Sequence, residues 1–222
     1  MIVERSMHPQ WLSNAYVVGD EPGGVAVFVD SGAPLEPLLE TLEHERLAPT
    51  HVLRTHSHAD HVEHEALLER RFGIPVVTGA VETGGLRIEA VPTPGHSDDG
   101  VAFVVNDDMC FTGDTLFLDS VGGGPASVVR DSVMERLMTL AHHVRVLPGH
   151  TDETTIGREW EENPFVRYWR GLEAEDGTRC RVGDVEGVVV VRSPDYDGKG
   201  KLLVRFDRGV ERIIGASRVE LL

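Results

Sequence analysis

Short apolar runs alternate, over most of the chain, with stretches whose apolar residues recur every three to four positions. Asn14 to Val18 and Val25 to Asp30 are apolar and β-branched, and the Pro22-Gly23-Gly24 stretch between them predicts a hairpin. From Pro34 to Arg46, residues Leu35, Leu38, Leu39 and Leu42 fall on one helix face. Thr50 to Thr55 reads as a short buried strand, Val62 to Phe72 as a helix and Ile74 to Thr78 as a strand. Further strands are predicted at Leu86 to Val91, Val101 to Val105, Met109 to Thr112 and Val144 to Leu147, with a helix over Val128 to His142. Strands alternating with helices predict an α/β protein with its helices outside the sheets.

The pattern changes after Gly171. Glu173 to Gly177 reads as a linker, and only short β-like runs follow: Thr178 to Val182, Gly187 to Arg192, Lys201 to Phe206, Val210 to Ile214 and Ser217 to Leu221. Turn signals at Asp195, Asp197-Gly198 and Arg208-Gly209 separate them. The expectation is a front domain over 1–172 and a small β-rich domain over 173–222, a barrel of SH3-like type.

Composition narrows the functions. The 222 residues are 41% hydrophobic, as in an ordinary globular protein, and the longest apolar runs are far too short to span a bilayer. The start, Met1-Ile-Val-Glu4-Arg5, does not resemble a secretory leader, so a cytoplasmic location is expected. Net charge is −16, which argues against nucleic acid and anionic membranes as partners and leaves a small-molecule substrate. Cys110 and Cys180 lack the spacing of a cysteine metal site, and Cys110 lies in an apolar run where a buried, inert thiol is expected.

The chemistry concentrates in Thr55-His-Ser-His-Ala-Asp-His61, which puts His56, His58, Asp60 and His61 within six residues. Neutral imidazole and carboxylate are the ligand set for borderline divalent ions such as Zn²⁺. His96 and His150 each follow a Pro-Gly pair, whose glycine lets the backbone turn sharply and aim the next side chain inward. Asp114 follows a strand and Gly113. Each candidate ligand therefore sits where a predicted strand or turn ends in a loop, the arrangement by which rigid scaffolds present functional groups.

This order (a His-x-His-x-Asp-His loop, a distant His, an Asp and a last His) closely resembles the metallo-β-lactamase superfamily over roughly Asn14 to Gly171. The resemblance implies a four-layer αβ/βα sandwich with the site at one edge of two sheets. It implies that His56, His58 and His96 bind one metal, that Asp60, His61 and His150 bind a second, and that Asp114 bridges them. Two Zn²⁺ are expected, with Fe²⁺ or Mn²⁺ as alternatives in either site. Asp30 stands where the family often has a carboxylate that orients ligands, although a turn-forming Asp fits the sequence equally well.

Smaller signs bear on the substrate. Asp114 differs from the cysteine or serine of several true β-lactamases, and Phe117 stands where similar lactonases carry tyrosine. Gly113-Asp-Thr-Leu-Phe117, Thr155-Ile-Gly-Arg-Glu159 and Asn163-Pro-Phe165 look like phrases of the glyoxalase II-like hydroxyacylglutathione hydrolases. That resemblance implies thioester hydrolysis: a water shared by the two metals and oriented by Asp60 attacks the carbonyl, with Asp60 and Asp114 as the catalytic carboxylates. Departures point to an acyl-thiol carrier other than glutathione. Gly122-Gly-Gly-Pro125 replaces the basic residue found there in the glutathione-using enzymes, Arg130 is the first base, and the C-terminal extension is β-rich instead of helical. Three other readings stay open. One is a mononuclear iron persulfide dioxygenase using His56, His96 and Asp114; another is a lactonase or other ester hydrolase. In the third, a non-enzymatic reading, the C-terminal barrel binds a protein partner and the front domain is vestigial; in the enzyme readings the barrel covers the active-site edge or helps form a homodimer.

Overall fold

A computed structural model describes residues 1–222. Two sheets face each other. The first has five strands in the order Ile2–Met7, Asn14–Gly19, Val25–Val29, Ala48–Leu53, Val76–Val77. The second has six, in the order Thr154–Thr155, Arg145–Pro148, Met109–Gly113, Val101–Val105, Leu86–Pro92, Val81–Thr83. Tyr16, Val18, Val27, Val29 and Leu53 of the first sheet meet Ile88, Phe103, Val105 and Phe111 of the second in a dry layer. Alternation puts Ala15, Val17, Ala26, Phe28 and Val52 on the opposite face, where they pack on Leu38 and Leu42 of the helix Glu36–Glu45 and Leu68 of Glu65–Phe72. The outer face of the second sheet buries Ala102, Val104, Cys110 and Val146 against the helices Ala126–Met134, Ile156–Glu162 and Pro164–Trp169. The result is the four-layer α/β sandwich.

Strand direction explains where the ligand loops converge. Val25–Val29 and Ala48–Leu53 run parallel, so Asp30 and the loop beginning at Arg54 leave the first sheet at one edge. Met109–Gly113 and Arg145–Pro148 are likewise parallel, so Asp114 and the Gly149-His150 turn leave the second sheet together. The loop carrying His96 joins two antiparallel strands at that edge. The Val101 N–H donates to the Thr55 carbonyl at 2.8 Å, tying the two loops.

Several expectations need correction. Ile2–Met7 is an edge strand that the charged run Glu4-Arg5 concealed, and Leu116–Phe117 forms a tight hairpin with Ser120–Val121. The helix expected to reach His142 ends at Met134; Leu137 and Met138 then turn into the core in a short 3₁₀ segment, leaving His142 and His143 exposed beyond it. Both cysteines are buried and free. No helix is long and apolar enough to cross a membrane.

The C-terminal strands Arg179–Val182, Val185–Ser193, Lys201–Phe206, Glu211–Gly215 and Glu220–Leu221 form an antiparallel sheet that does not close into the expected SH3-like barrel. One edge is instead taken by Gly124–Pro125 of the front region, paired with Ile213 and Arg212. One face of this sheet contributes Val190, Val191, Leu203 and Ile213 to the same core as Phe165 and Val166. The other covers Cys180, Val189, Leu202, Val204 and Ile214 with its own strands. Burial of that shared apolar face fixes the sheet beside the ligand loops.

Candidate metal centre

All seven candidate ligands meet at the shared edge. His56, His61, Asp114 and His150 form a buried floor, Asp60 is half-buried, and His58 and His96 face the open side. Three sets of donor atoms converge: His56, His58 and His96; His56, His61 and Asp114; and Asp60, His61 and His150. Asp114 touches both halves. Its Oδ2 lies 3.5 Å from His96 Nε2 and 3.3 Å from His150 Nε2, and its Oδ1 lies 3.4 Å from His61 Nε2. Asp60 Oδ2 is 3.6 Å from His61 Nε2 and 3.5 Å from His150 Nε2. These separations are longer than good N–H···O hydrogen bonds. They match the roughly 3.3 Å between two ligands held about 2.0–2.1 Å from one tetrahedral ion.

Unpartnered atoms point the same way. His56 Nε2, His61 Nε2 and Asp114 Oδ1 are buried without a hydrogen-bond partner. Burying a carboxylate oxygen and two ring nitrogens unpaired is costly unless a cation completes them. The residues present therefore fit divalent metal.

The outward nitrogens are held by the protein. His61 Nδ1 lies 2.8 Å from Asp30 Oδ2, His150 Nδ1 lies 2.9 Å from the Leu12 carbonyl, and His96 Nδ1 lies 3.3 Å from the Gly123 carbonyl. Each contact keeps the other ring nitrogen turned to the centre. Asp30 is more than a turn residue. Its carboxylate also accepts from the Thr55 N–H and hydroxyl at 2.8 and 2.7 Å, and its own φ of 54° is left-handed. It thus braces the start of the ligand loop and one ligand together. Asp30→Asn is expected to weaken metal affinity by roughly 10–100-fold with the fold retained, read by competition with a chromophoric chelator.

The electrostatics divide the imidazoles. Burial pushes His56 down to about 4, with Asp114 opposing only in part, and burial also lowers His96. Burial is the largest single influence on His61 and His150 and works in the same sense, but the neighbouring carboxylates together outweigh it: Asp114 and Asp30 at His61, Asp114 and Asp60 at His150. They rise to about 9 and about 10. Asp114 falls well below the carboxylate range, since His150 and His61 overcome the cost of its burial. At pH 7 the metal-free centre therefore holds protons on His61 and His150. Metal must displace them, so uptake at pH 7 should release about two protons and apparent affinity should rise between pH 7 and pH 10. Calorimetry in two buffers of different ionisation enthalpy measures this; uptake with no proton release would contradict it.

Sequence reasoning missed a contribution from far along the chain. Tyr196, in the turn between Val185–Ser193 and Lys201–Phe206, stacks on His150 with ring centroids 3.9 Å apart and planes 9° apart. Lys201, 5% exposed, pairs with Asp195 at 3.1 Å and lies 4.9 Å over the Phe117 ring. Nothing in the turn-rich run Pro194 to Gly200 marks these residues as neighbours of the ligands. The signal is only the tertiary packing of the C-terminal sheet. His64, three residues past His61, is not among the converging donors and lies 3.8 Å from Glu63.

The fold and site define a metal-binding enzyme scaffold of the α/β sandwich kind. The sequence profile of the Metallo-beta-lactamase superfamily matches residues 8–84. An uncharacterized protein of Mycobacterium leprae is 32% identical over 202 residues, covering 69% of this chain and 93% of its own length. The probable metallo-hydrolase YqgX of Bacillus subtilis is 27% identical, over 69% of this chain and 92% of that protein. Among solved structures, the BLEG-1 B3 metallo-beta-lactamase is 25% identical with a TM-score of 0.69, covering 74% of this chain and 99% of that one. ETHE1 from Myxococcus xanthus is 29% identical with a TM-score of 0.66, over 79% and 93%. TTHA1623, solved in a di-iron-bound form, is 29% identical with a TM-score of 0.60, over 72% and 98%. The chain belongs to the metallo-β-lactamase superfamily.

Proposed function

We propose that this chain is a dinuclear metal-dependent hydrolase that cleaves a thioester. The observation that carries the reading is the place of one buried carboxylate, Asp114, whose oxygens lie 3.5 Å from His96 on one side and 3.3–3.4 Å from His150 and His61 on the other, seven donors in all being more than one tetrahedral ion requires. In this reading His56, His58 and His96 would hold one ion, Asp60, His61 and His150 would hold the other, and Asp114 would be shared by both. Bound divalent ions, two Zn²⁺ or the iron or manganese equivalents, supply Lewis acidity and water of lowered pKa.

The chain's own groups do the rest. Asp60, less buried than Asp114, accepts a hydrogen bond from the attacking water and aims it. The imidazoles stay fixed through Asp30, Leu12 and Gly123 while charge develops, so little reorganisation is needed. No protein nucleophile competes: burial pushes the Cys110 thiol up to about 12, and Cys110 packs in the core. The thioester is favoured by the Gly113 to Phe117 and Asn163 to Phe165 phrases.

The test is thiol release from a panel of thioesters. Activity should vanish after chelation and dialysis and return with about two equivalents of zinc. Turnover undiminished by chelation would sink the proposal. The likeness to ETHE1 supports a second reading, an iron-dependent persulfide dioxygenase using His56, His96 and Asp114. Oxygen uptake with a persulfide, and no thioester turnover, would favour it.

A further inference from the structure

A cavity of about 700 Å³ opens beside His96, between the ligand loops and the C-terminal sheet. His96 and Asp98 stand on one wall; Phe206, Ile214, Arg212 and Arg218 stand on the other. The volume is that of a small-molecule site. It adjoins the open side of the metal centre, where His58 and His96 are the accessible ligands. A molecule with its reacting carbonyl at the centre therefore has this cleft for the rest of its length.

The cleft has a definite chemistry. Arg212 and Arg218 are exposed to it, and neither makes an ion pair or hydrogen bond within the protein. Arg205, in the same sheet, is by contrast paired with Glu175 and Glu211. Asp98 is the single carboxylate among the lining residues. In a chain of net charge −16, two unpaired guanidinium groups opening into one cavity form a local positive site in a negative field. Arg212 is also held in register. Its residue pairs with Pro125, the neighbouring Gly124 pairs with Ile213, and the carbonyl of Gly123 faces His96 Nδ1. The anion-binding side is thus tied by three consecutive residues to a metal-ligand histidine. Phe206 and Ile214 add apolar surface to the same cleft.

We infer that this cleft binds the carrier half of an acyl-thiol whose carrier ends in carboxylate or phosphate groups, and that Arg212 and Arg218 recognise those groups. The inference rests on the proposed thioesterase reading for the identity of the reacting end. Guanidinium groups pair bidentately with either oxyanion, so the two carrier types share the recognition chemistry.

Binding is measured by calorimetry on the metal-loaded protein with two unreactive probes, S-methylglutathione for carboxylates and desulfo-coenzyme A for phosphates. At least one should bind, and R212Q/R218Q should bind it roughly tenfold more weakly or worse, at about 1.4 kcal/mol per tenfold. The probe that binds identifies carboxylate or phosphate. Binding of neither probe, or equal binding by R212Q/R218Q, overturns the inference. Turnover of neutral N-acetylcysteamine thioesters separates it from the reading beneath. If such thioesters are hydrolysed while both probes fail to bind, the cleft assignment falls and the thioesterase stands. Arginine-dependent probe binding with no thioester turnover of any kind supports the anion site and removes the thioesterase.

Discussion

Asp114→Ala is expected to lower metal content from two ions per chain to below one and to reduce kcat/KM by about 10³-fold or more, a loss of about 4 kcal/mol in transition-state stabilisation. The carboxylate is 7% exposed and lies 3.3–3.5 Å from one nitrogen of each of His61, His96 and His150. Without it His96 loses the carboxylate beside it, and the centre-facing nitrogens of His61 and His150 keep only Asp60, at 3.6 and 3.5 Å. The raised proton affinity of His61 and His150, which depends largely on Asp114, should fall as well. The fold itself should survive, because Asp114 stands in a loop and its oxygens make no ordinary hydrogen bond to the backbone. Elemental analysis, activity and the thermal midpoint of the chelated protein together check this. Loss of metal with little change in that midpoint is the expected pattern.

Gly32→Ala is expected to damage fold and site together. A Cβ on Gly32 would come 1.6 Å from the Asp60 carbonyl oxygen and 2.8 Å from the His61 backbone nitrogen. Backbone cannot rotate out of the way as a flexible side chain can. The segment after Asp30 and the ligand loop must therefore separate, breaking the Ser31 N–H to His61 carbonyl bond of 2.8 Å. A cost of about 3 kcal/mol is reasonable for overpacking of this kind. For a domain of this size that corresponds to a thermal midpoint lower by roughly 6–12 °C. Metal affinity should fall with it, since Asp60 and His61 are the residues displaced. An unchanged midpoint would mean that the two loops are not in the contact described.

The donor cluster was legible because four of its seven members crowd into the run His56 to His61, while His96, Asp114 and His150 each directly follow a glycine that marks a strand or turn end. The parallel strands that bring those ends to one edge were legible too, as short apolar runs separated by helical spacing. What failed to show was structure whose cause lies outside its own segment. Ile2–Met7 reads Ile-Val-Glu-Arg-Ser-Met, with no alternation to mark a strand, and only its pairing with Asn14–Gly19 makes it one. The helix beginning at Ala126 continues an apolar period past Met134, yet Leu137 and Met138 reach the core only by leaving the helix. Tyr196 sits in a turn-rich run and becomes a neighbour of His150 through the docking of Val190, Val191 and Leu203 far away in the sequence. Asp30 read equally as turn former or brace until its three acceptor contacts were in view.

The C-terminal sheet ties these observations to function. A front scaffold of this superfamily supplies the metal centre, while Tyr196, Lys201, Arg212 and Arg218 shape its surroundings from a segment of quite different sequence character.

The most direct test of the dinuclear hydrolase is the metal content of the purified protein, by elemental analysis, alongside thioester turnover on the same preparation. Near two divalent ions per chain with thiol release is the predicted result. One iron per chain, with dioxygen consumed in oxidising a persulfide and no thioester cleaved, would contradict it.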